Sequence, residues 1–169
     1  MPIKCYVSPK VELNKSLIGG AGVFAKKYIK KGEIVFIKAG HIVPFSEAQK
    51  YDRDIGDFSL QITDEFYLCP TKKSEIEALV IHFNHSCDPS IGVDGQVSFV
   101  ALRDIHPKEE LTCDYGTIVW DNKYRLECRC GSADCRKIIT ENDWKIKSLQ
   151  EKYGTHFSWP ILKRILSLE

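Results

Sequence analysis

The sequence predicts a mainly β domain of small sheets, with helix confined to short stretches and to the C-terminal tail. Three observations carry this expectation. Glycine, proline, asparagine or aspartate interrupts the first two thirds of the chain about every 8–12 residues, the rhythm of short strands joined by turns. The runs between those interruptions are rich in β-branched and aromatic residues, which suit a pleated, half-buried surface. Strong helical periodicity appears only near the end of the chain.

In chain order, Val23–Ala25, Ile34–Ile37, Phe66–Leu68 and Val97–Leu102 read as strands. Ser46–Tyr51 reads as a single helical turn. Between Lys73 and Phe83, the residues Ile76, Leu79, Val80 and Phe83 share one helical face, so a short helix is expected to lead into residue 84. Thr140–Asp143 resembles a capping box opening a helix that carries Trp144, Leu149 and Tyr153, with Gly154 as its stop. Pro160 fits the first turn of a second helix with Ile161, Leu162, Ile165 and Leu166 on one stripe. That stripe either docks on the body or forms a surface for a homodimer or another partner.

The bulk composition narrows the function classes. A chain of 169 residues with 43% hydrophobic and 28% charged residues suits a single globular body. A net charge of +1 lacks the basic footprint of nucleic-acid binders, so no direct nucleic-acid binding is expected. The run Lys26, Lys27, Lys30 and Lys31 reads as a solvated strand end or loop. No stretch approaches the roughly 20 apolar residues of a membrane span, and Met1–Cys5 opens no signal-peptide core. The chain is therefore expected to be soluble and intracellular, assigned to the cytoplasm with the nucleus left open. Seven cysteines in such a setting argue against a disulfide framework.

Cys128-x-Cys130-x4-Cys135 places three thiols close together, and a structural zinc takes four tetrahedral Cys or His ligands. Cys5, Cys69 and Cys113 are left over as small buried hydrophobes. Gly20-Ala21-Gly22 lets backbone approach a ligand closely, although alone it could be an ordinary turn. Asn84-His85, taken alone, is a polar pair at a loop start, and Tyr115 alone is a core tyrosine. No nucleophile triad is visible.

In this order, Gly20-Ala-Gly-Val-Phe-Ala25, Asn84-His-Ser-Cys-Asp-Pro-Ser90, Glu110-Leu-Thr-Cys-Asp-Tyr-Gly116 and Cys128-Arg-Cys-Gly-Ser-Ala-Asp-Cys-Arg136 together resemble the SET-domain protein lysine methyltransferases with a post-SET zinc cluster. The resemblance implies a SET-domain fold with a threaded C-terminal loop over residues 9–116, a post-SET zinc segment over 124–140 and a helical tail over 141–169. It implies S-adenosylmethionine as cofactor, held by Gly20, Ala21, Gly22, Tyr67, Asn84 and His85 and covered by Ile138. It implies one structural zinc on Cys128, Cys130, Cys135 and, from the Asn-His-Ser-Cys motif, Cys87. It implies methyl transfer to a lysine of a protein substrate, with Tyr115 as the catalytic residue.

The chain departs from that family at the substrate channel. Cys113 stands where relatives often carry Phe or Tyr, leaving room for more than one methyl group on the product. Lys38 stands in a segment, Phe36–Gly40, where an aromatic often lines the lysine channel, and Ser90 replaces a frequent Asn. The alternative reading is a catalytically silent SET-like module that uses its zinc site and helices to bind a partner.

Overall fold

The structure, a computed structural model, describes residues 4–56, 58–76, 83–120 and 124–167. The strands are β1 (Tyr6–Val7), β2 (Val11–Lys15), β3 (Ala21–Ala25), β4 (Ile34–Ile37) and β5 (His41–Pro44), followed by helix α1 (Phe45–Ile55). Next come β6 (Leu60–Gln61), β7 (Phe66–Cys69), β8 (Asn84–His85), β9 (Ile91–Asp94), β10 (Ser98–Ala101) and β11 (Glu110–Cys113). The chain continues through β12 (Arg125–Glu127) and β13 (Ile138–Thr140) to α2 (Lys147–Tyr153) and α3 (Trp159–Leu166). The expectation of small sheets and little helix holds.

The strands form sheets in the orders β1-β4-β10-β9, β2-β3-β11-β8, β5-β7-β6 and β12-β13. β4 and β10 lie inside the first sheet, so Val35, Phe36, Phe99 and Val100 are buried in near-continuous runs rather than in strict alternation. Val35, Phe36 and Phe99 join Val23, Ile91, Val93, Ile105 and Leu111 in one apolar core. β11 is the pivot. It pairs antiparallel with β3 on one side and parallel with β8 on the other, with Thr112 opposite Asn84 and Cys113 opposite His85. That register lays the Asp114-Tyr115 turn beside the Asn84-His85 pair.

Two local expectations change, and a third falls largely outside the described residues. The single turn at 46–51 is a helix of 11 residues, α1, because Ala48 and Tyr51 pack against Val43, Tyr67 and Cys69. Tertiary packing of one face, rather than propensity, sustains a helix of this length. Lys73–Glu75 forms a 3-10 turn and Phe83 is buried, but Leu79 and Val80 lie outside the described residues. Thr140 does not cap a helix. Its N–H and hydroxyl both donate to Asp143 Oδ1, at 3.0 and 2.9 Å, and Thr140 itself closes β13. Asp143–Lys145 is a 3-10 turn, Ile146 is extended, and α2 begins only at Lys147.

The tail docks on its own body. Trp144, Leu149, Tyr153, Phe157, Ile161 and Ile165 bury together against Leu102 and Trp120. Pro160 sits in the first turn of α3, whereas Leu166 faces solvent. Among the described residues, no helix is long and apolar enough to cross a membrane.

Candidate active site

Two constellations meet at the β8–β11 pairing. The first surrounds Asn84, whose Nδ2 donates to the Ala21 carbonyl at 3.1 Å and to Glu110 Oε1 at 2.7 Å. Ser16 Oγ donates to the other Glu110 oxygen at 2.9 Å. Gly22 is required by this packing, because an added Cβ would stand 2.3 Å from Glu110 Oε1 and push the carboxylate off Asn84. Gly20 has φ +52°, which favours glycine, and a Cβ there would meet nothing within 4 Å. The open space at Gly20, the acceptor oxygen of Asn84 and the Glu110 carboxylate suit a ligand that carries an amine and positive charge. S-adenosylmethionine is such a ligand.

His85 plays a different part from Asn84. It is 4% exposed, and burial holds its pKa below the ordinary value, with Asp114 opposing and Arg136 assisting. The Tyr115 N–H donates to His85 Nδ1 at 3.1 Å, so Nδ1 is the bare nitrogen and Nε2 carries the hydrogen. Nε2 lies 3.4 Å from Cys87 Sγ. Thus the imidazole ties the Tyr115 backbone to the cysteine cluster, and a cofactor can meet His85 only through its backbone.

Cys87, Cys128, Cys130 and Cys135 have their sulfurs all within 4.8 Å of one another. Tetrahedral zinc with bonds of about 2.3 Å spaces its sulfurs about 3.8 Å apart, and Cys87 and Cys128 stand 3.8 Å apart. The donor set therefore fits one closed zinc site. The β12–β13 hairpin supplies the wall, with Ile138 at the start of β13 37% exposed and open to a ligand.

Sequence reasoning assigned no role to the network that joins these parts. Arg136 reaches Asp114 with two hydrogen bonds of 2.7 and 2.6 Å and Asp143 with one of 2.9 Å. Its backbone N–H donates to Cys87 Sγ at 3.4 Å. Tyr153 of α2 donates its hydroxyl to Asp114 at 2.8 Å. Asp114 is 1% exposed; burial pushes its carboxyl up, but Arg136 and Tyr153 override it and hold the pKa below the ordinary range. Burial, followed by Asp114, pushes the Tyr153 hydroxyl up. Asp114 and Arg136 each sit inside a quoted motif, which is the one signal the sequence offers. The contribution of Tyr153 had none.

Tyr115 follows Asp114. Its hydroxyl donates to the Phe83 carbonyl at 2.8 Å, and its ring lies 5.3 Å from that of His85. Tyr115 and Cys113 line a cavity of about 670 Å³ together with Lys38, Phe36, Phe83 and Phe99. Burial pushes the Cys113 thiol far up, so it stays uncharged. Tyr67, grouped with the cofactor residues on sequence, lines this cavity too. β7 runs between β5 and β6 and turns Tyr67 toward α1, its ring 5.3 Å from that of Phe45. Phe45, Gln61 and Tyr67 also line a second cavity of about 370 Å³, with Trp120, Trp144 and Arg164.

Comparison with known proteins matches residues 20–116 to the SET domain family model. The chain is 34% identical over 146 residues to the rice (Oryza sativa subsp. japonica) histone-lysine N-methyltransferase TRX1, covering 78% of this chain and 14% of that protein. It is 36% identical over 136 residues to an H3 lysine-4 specific histone-lysine N-methyltransferase of Cryptococcus neoformans, covering 72% of this chain and 9% of that protein. The chain thus spans a small fraction of the length of these curated relatives. The methyltransferase domain of human SETMAR shares the fold, with a TM-score of 0.61 at 22% identity over 79% of this chain and 59% of that one.

Proposed function

This chain belongs to the SET-domain family, and from that premise we propose that it transfers methyl groups from S-adenosylmethionine to a lysine side chain of a protein substrate. The observation that carries the reading is the parallel β8–β11 pairing, which sets Asn84-His85 beside Asp114-Tyr115 at the end of a cavity lined by aromatic rings. Bound S-adenosylmethionine supplies a methyl group on a sulfonium. The residues of this chain supply alignment. Gly20, Ala21 and Gly22 offer backbone, Asn84 offers its free oxygen, and Ile138 covers the ligand. Phe36, Phe83 and Phe99 exclude water from the lysine stem. The Tyr115 hydroxyl and the Phe83 carbonyl place oxygen at the cavity end, where the positive methyl must sit. Holding amine and methyl in line is worth more here than any covalent intermediate. The small Cys113 leaves room for more than one methyl group on the product. Zinc on Cys87, Cys128, Cys130 and Cys135 is structural in this reading, because four thiolates leave it no open position.

Core histones, the substrates stated in the names of the relatives, are the first probe, incubated with the chain and S-adenosylmethionine labelled on its methyl group. Label on lysine is expected. Cofactor binding by calorimetry separates this reading from a silent SET-like partner-binding module: a chain that binds no S-adenosylmethionine is not this enzyme. Asn84→Ala is expected to weaken that binding by about 0.5–1.5 kcal/mol, the usual net contribution of one hydrogen bond, since Asn84 is half-buried. Tyr115→Phe is expected to keep cofactor affinity and lose most turnover, because the hydroxyl acts on the transition state rather than on the ground state. A Tyr115→Phe chain with wild-type turnover removes Tyr115 from the mechanism.

A further inference from the structure

The C-terminal tail holds the turn that carries Tyr115 at both ends. Tyr153, the last residue of α2, donates its hydroxyl to Asp114 Oδ2 at 2.8 Å. The Ser158 N–H, at the start of α3, donates to the Thr117 carbonyl at 2.8 Å. Between these contacts Asp143 closes on Gly116, where an added Cβ would stand 2.9 Å from the Asp143 Cβ. Next to Tyr153, the Lys152 ammonium donates to the Cys87 carbonyl at 3.0 Å and pairs with Asp88 at 3.4 Å. The tail lies beyond residues 20–116, the span of the family match. Resting on the reading of Tyr115 as the residue of methyl transfer, we propose that this tail is part of the active site and that Tyr153 is a positioning residue for the reaction, setting Tyr115 through Asp114.

The carboxylate of Asp114 shows how. It is 1% exposed and accepts four hydrogen bonds. One comes from the Gly116 N–H, inside the turn itself, at 2.9 Å. Two come from Arg136, beside the zinc cysteines, and the fourth from Tyr153. Among the described residues, Arg136 and Tyr153 therefore tie this carboxylate to elements outside the turn. With Arg136 alone the carboxylate could swing about that pair, and a second anchor on a separate element stops the swing. Asp114 adjoins Tyr115 in the chain, so any swing passes to the Tyr115 backbone and on to its hydroxyl. A misplacement of about 1 Å can cost on the order of 100-fold in rate. Docking of the tail does not need the Tyr153 hydroxyl. Its ring packs with Leu149, Phe157 and Ile161 and lies 6.0 Å from the Phe157 ring, contacts that a phenylalanine would keep. The hydroxyl adds the reach to Asp114, the Cys87 carbonyl standing farther off at 3.5 Å.

Two measurements on the full chain test this, with Tyr153→Phe as the variant and Val35→Ala as the control. Val35→Ala opens a cavity in the main core and weakens the body without touching the tail. In the first measurement, kcat for core histones is expected to fall about tenfold or more in Tyr153→Phe. KM for histone and the calorimetric Kd for S-adenosylmethionine are expected to stay at wild-type values, because Tyr153 touches neither ligand. Val35→Ala is expected to keep its kcat at a temperature where both variants are folded. Wild-type kcat in Tyr153→Phe overturns the proposal, and so does an equal loss in Val35→Ala. The second measurement needs no substrate. The Tyr115 N–H, bonded to His85 Nδ1, is followed by hydrogen exchange against the core N–H of Ile105, bonded to the Ile29 carbonyl. The ratio of the two rates is expected to rise about tenfold in Tyr153→Phe, as local opening of the turn becomes easier, and to hold in Val35→Ala. An unchanged ratio in Tyr153→Phe overturns the proposal, whatever the activity. A wild-type chain that methylates no histone counts against the substrate reading, and the exchange ratio then decides the role of Tyr153 by itself.

Discussion

Protein purified without chelator is expected to carry one zinc per chain, and stripping it is expected to abolish cofactor binding and methyl transfer together. The four sulfurs crowd within 4.8 Å, a spacing that four thiolates tolerate only around a cation. Structural zinc in small cysteine sites contributes about 10–16 kcal/mol of apparent binding energy, so metal loss here means loss of the local fold. The damage would not stay local. Cys87 accepts from the Arg136 backbone and faces His85 Nε2, and His85 and Arg136 hold the Tyr115 backbone and Asp114. Removing zinc therefore releases both supports of Tyr115. Elemental analysis gives the stoichiometry. Calorimetry with S-adenosylmethionine, before and after chelation and after zinc is returned, gives the coupling. A metal-free chain that binds cofactor with wild-type affinity would falsify this account.

Arg136→Ala is expected to be the most destabilising single change outside the apolar core, at about 3–5 kcal/mol, because it leaves the Asp114 carboxylate buried and unpaired. Arg136→Lys should rescue little, since an ammonium cannot reproduce the two parallel bonds to Asp114 or reach Asp143 at the same time. Denaturant unfolding measures the loss. The pH dependence separates this cause from mere loss of packing. In the wild type the Asp114 pKa is lowered on folding, so its contribution is complete above the ordinary carboxyl value of about 3.9 and fades as pH falls through the lowered folded value. Without Arg136, burial governs and the folded pKa lies above the unfolded one. The variant should then gain stability as the solution is acidified from about pH 7 to pH 5, while the wild type does not. Parallel pH curves for the two proteins would show that Asp114 is not the source of the loss.

Much of the candidate site was legible before any coordinates. Gly20–Gly22, Asn84-His85, Asp114-Tyr115 and the cysteines of 128–135 announce themselves because each function demands particular residue types in a short span. The strands of 23–25, 34–37, 66–68 and 97–102 were legible for a similar reason, since apolar runs cut by turn residues have few other uses. Where a role depends on direction rather than type, the sequence was silent. His85 and Asn84 are neighbours, yet period-2 alternation sends the imidazole inward to Cys87 and leaves the amide at Ala21 and Glu110. Tyr67 faces the cavity because β7 pairs between β5 and β6.

By itself, then, the sequence determined the class of fold and the family and brought forward the motif residues of the candidate site, because those follow from local pattern and residue chemistry. The tertiary structure alone decided how they are wired. Arg136, Asp114 and Tyr153 lie far apart in the chain and meet only because α2 docks against the β8–β11 end of the body. Asp143, which reads as the last residue of a capping box, is held by Arg136 and Thr140, and the expected helix starts late. A buried carboxylate must find its cation wherever the fold brings one. That requirement couples the zinc hairpin and the tail helix to Tyr115, and it acts across distances that no local motif encodes.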